Sequence, residues 1–197
     1  MSVAEKKALR RVRLIELAIE DILENGVEGC SFRTLAKRAG TTTAPFTYAF
    51  GSRAEMLNAI ADRTWAWLEP DDVGNAKTPL ELLKAKSRRW TPIDDADVPF
   101  VNVYIDLGFH ARHHKELAAH MSKLNAEGDA RWTKLVETAQ AKGEISSSID
   151  ANDLVAQLWA MSDGLAVARM SHSTHFTSDV VERLWNTAFD RLVGISA

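Results

Sequence analysis

Residues 31–50 read SFRTLAKRAGTTTAPFTYAF, and they place two short apolar stripes on either side of a Gly-Thr turn. Phe32, Leu35, Ala36 and Ala39 recur at i, i+3, i+4 and i+7, the spacing of one face of a helix. Arg33, Lys37 and Arg38 fall on the other faces. Ser31 stands where a hydroxyl accepts a hydrogen bond from an unpaired amide of the first turn, and Gly40 stands where a left-handed residue ends a helix at little cost. Thr41, Thr42 and Thr43 follow, then Pro45, whose missing amide proton and fixed φ suit the first turn of a new helix. Phe46, Ala49 and Phe50 give the second stripe at i, i+3 and i+4. Two short helices, a tight turn containing glycine and complementary stripes are the helix-turn-helix pattern.

The second helix shows solvent Thr42, Thr43, Ala44, Thr47 and Tyr48, which are small or hydroxyl-bearing, with no carboxylate among them. A phosphate-lined groove would repel a carboxylate. Hydroxyls bond phosphate oxygens or base edges, and methyl groups touch the thymine methyl. The pattern by itself also fits a helical hairpin that only packs, so it leaves DNA binding and plain packing both open.

The segment AKRAGTTTAPFTYAFGSRAEML, beginning at Ala36, resembles the signature of the TetR family of bacterial transcriptional regulators. The resemblance covers about residues 8–68. It rests on a second helix ending in Ala-Gly, a short turn, an aromatic-rich recognition helix and a Ser-Arg/Lys-Glu-x-Leu entry into a fourth helix. In one respect the chain departs from it: the family usually has a tyrosine where Thr47 stands, and here the tyrosine is Tyr48. The resemblance implies a DNA-facing set of Ser31, Arg33, Thr42, Thr43, Ala44, Pro45, Thr47, Tyr48 and Arg53.

Composition agrees with a cytoplasmic globular protein. The chain has 197 residues, 46% of them hydrophobic and 26% charged, with a single cysteine, Cys30, that leaves no intrachain disulfide to form. No window approaches the length of an apolar membrane span, and the start MSVAEKKALRR lacks a signal-peptide core. The net charge of -3 divides unevenly: residues 1–53 hold nine Lys/Arg against six Asp/Glu, and the remainder fifteen against twenty-one. Lys6, Lys7, Arg10, Arg11 and Arg13 lead into the first helix, while Arg33, Lys37, Arg38 and Arg53 flank the helix-turn-helix, which directs phosphate attraction to that end. A solvated basic face is the plainer alternative.

Helix periodicity predicts a first helix over about residues 4–25, buried through Leu9, Val12, Ile15, Ile19, Ile22 and Leu23 and stopped by Gly26. Ser52-Arg53-Ala54-Glu55 fits a capping box before a fourth helix carrying Met56, Leu57, Ile60, Ala61, Trp65 and Leu68. A polar connector, EPDDVGNAK over residues 69–77, leads to Thr78-Pro79-Leu80-Glu81 and a fifth helix ending near Trp90. Two further helices cover about residues 98–114 and 116–141. The eighth, capped at Asp150, and the ninth, over about 178–193, are apolar around much of their circumference. The simplest cover for both is a second copy, and a four-helix bundle about a two-fold axis, which the resemblance also implies, would use Leu158, Gly164, Leu165, Leu184, Trp185 and Phe189; the alternative is that both helices are central in one subunit.

Candidate chemistry outside DNA binding is sparse. Asp106, His110 and His114 lie at i, i+4 and i+8, and a metal reading of them is weaker than that of a surface or pocket lining, since no HExxH and no second Cys/His cluster accompanies them. No Gly-rich phosphate loop, nucleophile elbow or paired-carboxylate motif occurs, so neither an enzyme nor a resident cofactor or metal is expected. The resemblance implies an inducer pocket in the C-terminal part, for which Trp90, Phe100, Asn102, Tyr104, His110, Met121, Trp132, Trp159 and Asp163 are the candidates.

The expectation is therefore an all-α protein of about nine helices. Residues 8–68 form an N-terminal three-helix helix-turn-helix DNA-binding domain, and residues 69–197 a C-terminal helical ligand-binding and dimerisation domain. Its partners would be double-stranded DNA carrying a palindromic operator, a small-molecule inducer and a second copy of the chain. Most directly it would be a repressor. An activator on the same fold, or a helical metal protein or enzyme using Asp106, His110 and His114, are the alternatives.

Overall fold

The computed structural model describes residues 2–70 and 76–194, and among them nine α-helices and no strand. In chain order these are α1 (Val3–Gly29), α2 (Phe32–Arg38), α3 (Ala44–Phe50), α4 (Arg53–Leu68), α5 (Pro79–Trp90), α6 (Val98–Ala111), α7 (Lys115–Ala141), α8 (Ala151–Ser171) and α9 (Ser178–Leu192). The all-helical class and the number of helices agree with the sequence reading. Residues 71–75 of the expected connector lie outside the described residues.

The chain forms two compact units. One comprises Met1–Trp65 with Val103–Lys123, and the other Ala66–Asn102 with Leu124–Ala197. The division passes through α4, α6 and α7, so each of these helices contributes residues to both units.

In the first unit, the regular run of α1 stops at Gly26, as the sequence predicts, and a short second segment follows it. The helix resumes beyond a kink where Gly26 takes φ 71° and ψ 168°, a backbone state that only glycine adopts cheaply, and continues to Gly29. Burial of Val27 and Cys30 fixes this last turn to the core, and the Arg53 guanidinium ties it further by donating to the Val27 carbonyl at 2.6 Å and the Cys30 carbonyl at 2.9 Å. The buried stripe of α1 is Ile15, Ala18, Ile19 and Ile22, at i, i+3, i+4 and i+7. Leu9, Val12 and Leu23, expected inside, are exposed: Leu9 and Val12 belong to the opening turns of α1, where every described side chain as far as Arg13 is open to solvent, and Leu23 lies off the stripe.

In the second unit α8 packs against α5 and α9. Its α5 begins as the sequence predicts, with Thr78 Oγ1 accepting from the Glu81 amide at 3.2 Å and Pro79 in the first turn. Glu81 reaches one residue further back than a capping box requires, accepting from the Lys77 amide at 2.6 Å. The Asp150 carboxylate accepts from the amides of Asn152 and Asp153 and so begins α8.

Candidate nucleic-acid interface

The first unit builds an outward-facing α3 in three steps. Ser31 and Thr34 form a reciprocal cap on α2: Ser31 Oγ accepts from the Thr34 amide at 3.2 Å, and Thr34 Oγ1 accepts from the Ser31 amide at 2.9 Å. Leu35 and Ala36 bury the inner face of α2. Gly40 then takes φ 60° just beyond Ala39, which turns the chain sharply enough for α3 to start at Ala44. Phe46 and Phe50 are buried under Phe32, whose ring lies 6.2 Å and 6.4 Å from theirs, so the apolar side of α3 is committed to the core.

The other side of α3 is left to solvent. Thr41, Thr42, Thr43, Ala44, Thr47 and Tyr48 are all exposed, and Pro45 is half-buried. Tyr48 is the most exposed large side chain of the group, at 74%. Two cations from α1 flank this helix. Lys7 Nζ lies 5.1 Å from the centre of the Tyr48 ring, and Arg11 lies 5.4 Å from that of Phe50 while its Nε donates to the Ala49 carbonyl at 3.4 Å. Sequence reading placed these basic residues near DNA but could not show that they brace α3, because the pairing spans some forty residues of chain.

Three members of the basic and DNA-facing set behave differently from the rest. Ser31 is half-buried and engaged in the α2 cap. Arg53 is occupied by the end of α1 as described, and its Nη1 lies 3.4 Å from His110 Nε2. Arg38 is held by Glu24, with Nη2 donating to Oε1 at 2.7 Å, and stands 3.6 Å from Glu20 and 3.9 Å from the buried Asp21. This bond lowers the Glu24 carboxyl from its usual range and raises Arg38 further, so the Arg38 charge is satisfied within the protein. Arg33 and Lys37 are exposed.

The candidate ligand-binding residues divide between the units: Tyr104, His110 and Met121 belong to the first, and Trp90, Phe100, Asn102, Trp132, Trp159 and Asp163 to the second. In the second unit Trp132 and Trp159 stack at 4.2 Å, and Trp90 meets Trp159 edge-on at 4.9 Å. A buried carboxylate organises the cluster. Glu69 Oε1 accepts from Trp90 Nε1 at 2.7 Å and from Trp132 Nε1 at 2.9 Å, while its Oε2 accepts from Lys86 Nζ at 3.3 Å. Trp159 Nε1 is buried with no hydrogen-bond partner among the described residues. Phe100 stacks instead on Trp67 at 4.4 Å, and Asp163 is exposed. Glu69 was not singled out from the sequence, where it reads as the first residue of a polar connector.

The expected dimer residues also separate. Leu158, Trp185 and Phe189 are fully buried within one protomer, Trp185 donating to Ser87 Oγ at 3.3 Å, so they do not face a partner. On α9 Trp185 and Phe189 share one apolar stripe with Leu184, and periodicity does not show which part of that stripe the same chain covers. Gly164 and Leu184 are exposed and Leu165 half-buried. A shallow apolar groove of about 430 Å³ runs between α8 and α9, lined by Gln157, Ala160, Met161, Ala188, Arg191 and Leu192.

The solvent-facing α3 of a helix-turn-helix coincides with a family match on both parts of the chain. Residues 14–60 match the bacterial regulatory proteins of the tetR family, and residues 79–194 match the C-terminal part of BetI-type transcriptional repressors. The chain belongs to the TetR family. This TetR-family protein is a DNA-binding transcriptional regulator. It is 23% identical over 186 residues to the HTH-type transcriptional regulator PksA of Bacillus subtilis, across 89% of this chain and 85% of that protein. Its fold is shared with a transcriptional regulator from Rhodococcus sp. Rha1, with a TM-score of 0.78 and 21% identity over 95% of this chain and 98% of that one. A regulator from Saccharomonospora viridis in complex with choline has a TM-score of 0.75 and 18% identity, over 93% and 96% of the two chains. No helix of this TetR-family chain, among the described residues, is long and apolar enough to cross a membrane.

Proposed function

We propose that this protein is a cytoplasmic, ligand-responsive repressor that binds a palindromic operator as a homodimer. The observation that carries the reading is the outward side of α3, where Thr42, Thr43, Thr47 and Tyr48 are exposed without a carboxylate among them. Residues 8–68 act as the DNA-binding domain, with Thr42, Thr43, Ala44, Pro45, Thr47 and Tyr48 at the groove, and Arg33 and Lys37 on phosphates. Ser31 and Arg53 support that surface from behind, through the α2 cap and the end of α1.

Residues 69–197 act as the ligand-binding and dimerisation domain. The groove between α8 and α9, together with Gly164 and Leu184, is where a second protomer would seat, since an apolar groove flanked by small residues lets a helix approach closely. Two recognition helices engage successive major-groove faces when their separation matches the helical repeat of DNA, about 34–36 Å. A ligand that prefers another separation shifts the population off DNA, by no more than its difference in affinity for the two states. Because α4 begins next to α3 and ends beside Glu69, it is the connection through which such a shift would act.

For the ligand itself, the tryptophans around Glu69 and the unpartnered Trp159 indole favour a small molecule with a cationic or polar head. Aromatic faces attract cations, and an indole N–H without a partner calls for an acceptor. Choline, present in the Saccharomonospora viridis relative, is the first compound to try. Tryptophan fluorescence titrated with choline, followed by release of bound operator, tests this half of the reading. A reporter with the operator inside its promoter separates repression from activation: repression lowers expression, and activation raises it.

A further inference from the structure

We propose that Glu28, His110 and His114 form a site for a divalent transition-metal ion of the zinc type, independent of the tryptophan cluster and of the DNA-facing surface. All three residues belong to the first unit, yet they come from separate places in the chain: Glu28 from the last turn of α1, His110 from the last turn of α6 and His114 from the turn before α7. Their ligand atoms lie within 4.8 Å of one another.

The distances suit a shared ion. Zinc bound at 2.0–2.1 Å in a tetrahedral site sets its ligand atoms about 3.4 Å apart. Glu28 Oε1 stands 3.1 Å from His110 Nδ1 and 3.9 Å from His114 Nε2, values that bracket that separation. The two imidazole rings are stacked, with centroids 3.9 Å apart; because a nitrogen lone pair lies in its ring plane, the exposed His114 ring must turn off His110 for both to reach one ion. Two imidazoles with one carboxylate are a donor set that zinc and its neighbours accept, and water completes the coordination. Room for that water exists, because a groove of about 340 Å³ lined by Arg53, Leu57, His113, His114 and Glu116 opens beside His114.

Proton placement sets the strength of the site. Without metal, Arg53 Nη1 faces His110 Nε2 at 3.4 Å, which leaves the ring proton on Nδ1 to be donated to Glu28. When the metal takes the Nδ1 lone pair, that proton moves to Nε2 and the long Arg53 interaction is given up. The stronger bonds of Arg53 to the Val27 and Cys30 carbonyls remain. A retained guanidinium close to the ion weakens binding, so the affinity falls below that of four-ligand structural zinc sites.

The test is zinc titration of the full-length protein, stripped of metal and dialysed, in competition with a chromophoric zinc indicator. Glu28 and His114 are largely accessible, with side chains 82% and 44% exposed, so Glu28→Gln and His114→Gln leave the packing intact, which far-UV circular dichroism checks. His113→Gln, an exposed neighbour outside the cluster, is the control. Wild type and His113→Gln are expected to bind one zinc per chain. Each ligand variant is expected to bind at least about tenfold more weakly, since loss of even an outer-shell partner costs that much. No saturable binding by the wild type, a ligand variant that binds like wild type, or an equal loss in His113→Gln would overturn the proposal. None of these readouts involves DNA.

Discussion

The Lys7 ammonium lies 5.1 Å from the centre of the Tyr48 ring, and Tyr48 is still 74% exposed. A cation from α1 thus supports the ring on one side while the rest of the side chain stays open. Tyr48→Ala is expected to weaken operator binding by about 1–3 kcal/mol, the usual range for removing one base or backbone interaction. Folding stability should stay within about 0.5 kcal/mol, because an exposed side chain adds little to the core. Fluorescence anisotropy at fixed salt, beside a denaturation curve, measures both. Unchanged affinity would remove Tyr48 from the interface.

Lys6, Lys7 and Arg10 are exposed on α1 ahead of the helix-turn-helix. Their replacement by glutamine should lower affinity for all DNA sequences alike and flatten its dependence on salt, by about 0.9 in the log-log slope for each phosphate no longer neutralised. Titrations at several salt concentrations give the slope. A loss confined to one operator base would instead assign direct reading to this arm.

Ser31 caps α2 through the Thr34 amide. Ser31→Ala should destabilise the protein by about 1 kcal/mol, as loss of a helix cap does, and leave the DNA affinity of the folded protein nearly unchanged. Equilibrium unfolding together with DNA binding separates the two roles. A large loss of affinity without destabilisation would make Ser31 a DNA contact.

Burial pushes the Cys30 thiol up to about 12, with the nearby Asp21 charge adding to the shift. At pH 8 only about one chain in ten thousand then carries the reactive thiolate at a given moment, so alkylating reagents should label Cys30 in denaturant and hardly at all in the native state. Rapid native labelling would contradict the packed environment of this residue.

Glu69 is held in the second unit by two indole N–H groups and Lys86, and its side chain is 1% exposed. Glu69→Ala removes the carboxylate that accepts from the Trp90 and Trp132 indoles and pairs with Lys86, and should cost about 3–5 kcal/mol, read from chemical denaturation. A change below about 1 kcal/mol would show that water replaces the carboxylate readily.

How much of this was legible in the sequence follows from the range of the forces involved. The α2 to α3 turn was readable because every determinant is local: the Ser31 cap, Gly40 at positive φ, Pro45 in the first turn and the Phe46 and Phe50 stripe all lie within twenty residues. The stop at Gly26 was readable as well, but the short segment after it was not, because it is held from outside by Arg53, twenty-three residues beyond Cys30. Arg38 has the look of a phosphate ligand in the sequence, and only the fold brings Glu24 against it. In α8 the apolar residues encircle the helix, and in α9 Leu184 shares one apolar stripe with Trp185 and Phe189, so periodicity could not separate the two that are buried from the one that is not. Glu69 and Glu28 carried no local signal, since each meets partners 17 to 86 positions away.

Selection of DNA bound by the full-length protein from a random pool tests the account most directly, because it asks whether the outward side of α3 reads sequence and whether two copies do so together. Enrichment of an inverted repeat with half-sites about one helical turn apart, abolished by Thr43→Ala and Tyr48→Ala combined, is the predicted result. Recovery of no common sequence, or of a single unrepeated site bound equally well by the double variant, would contradict it.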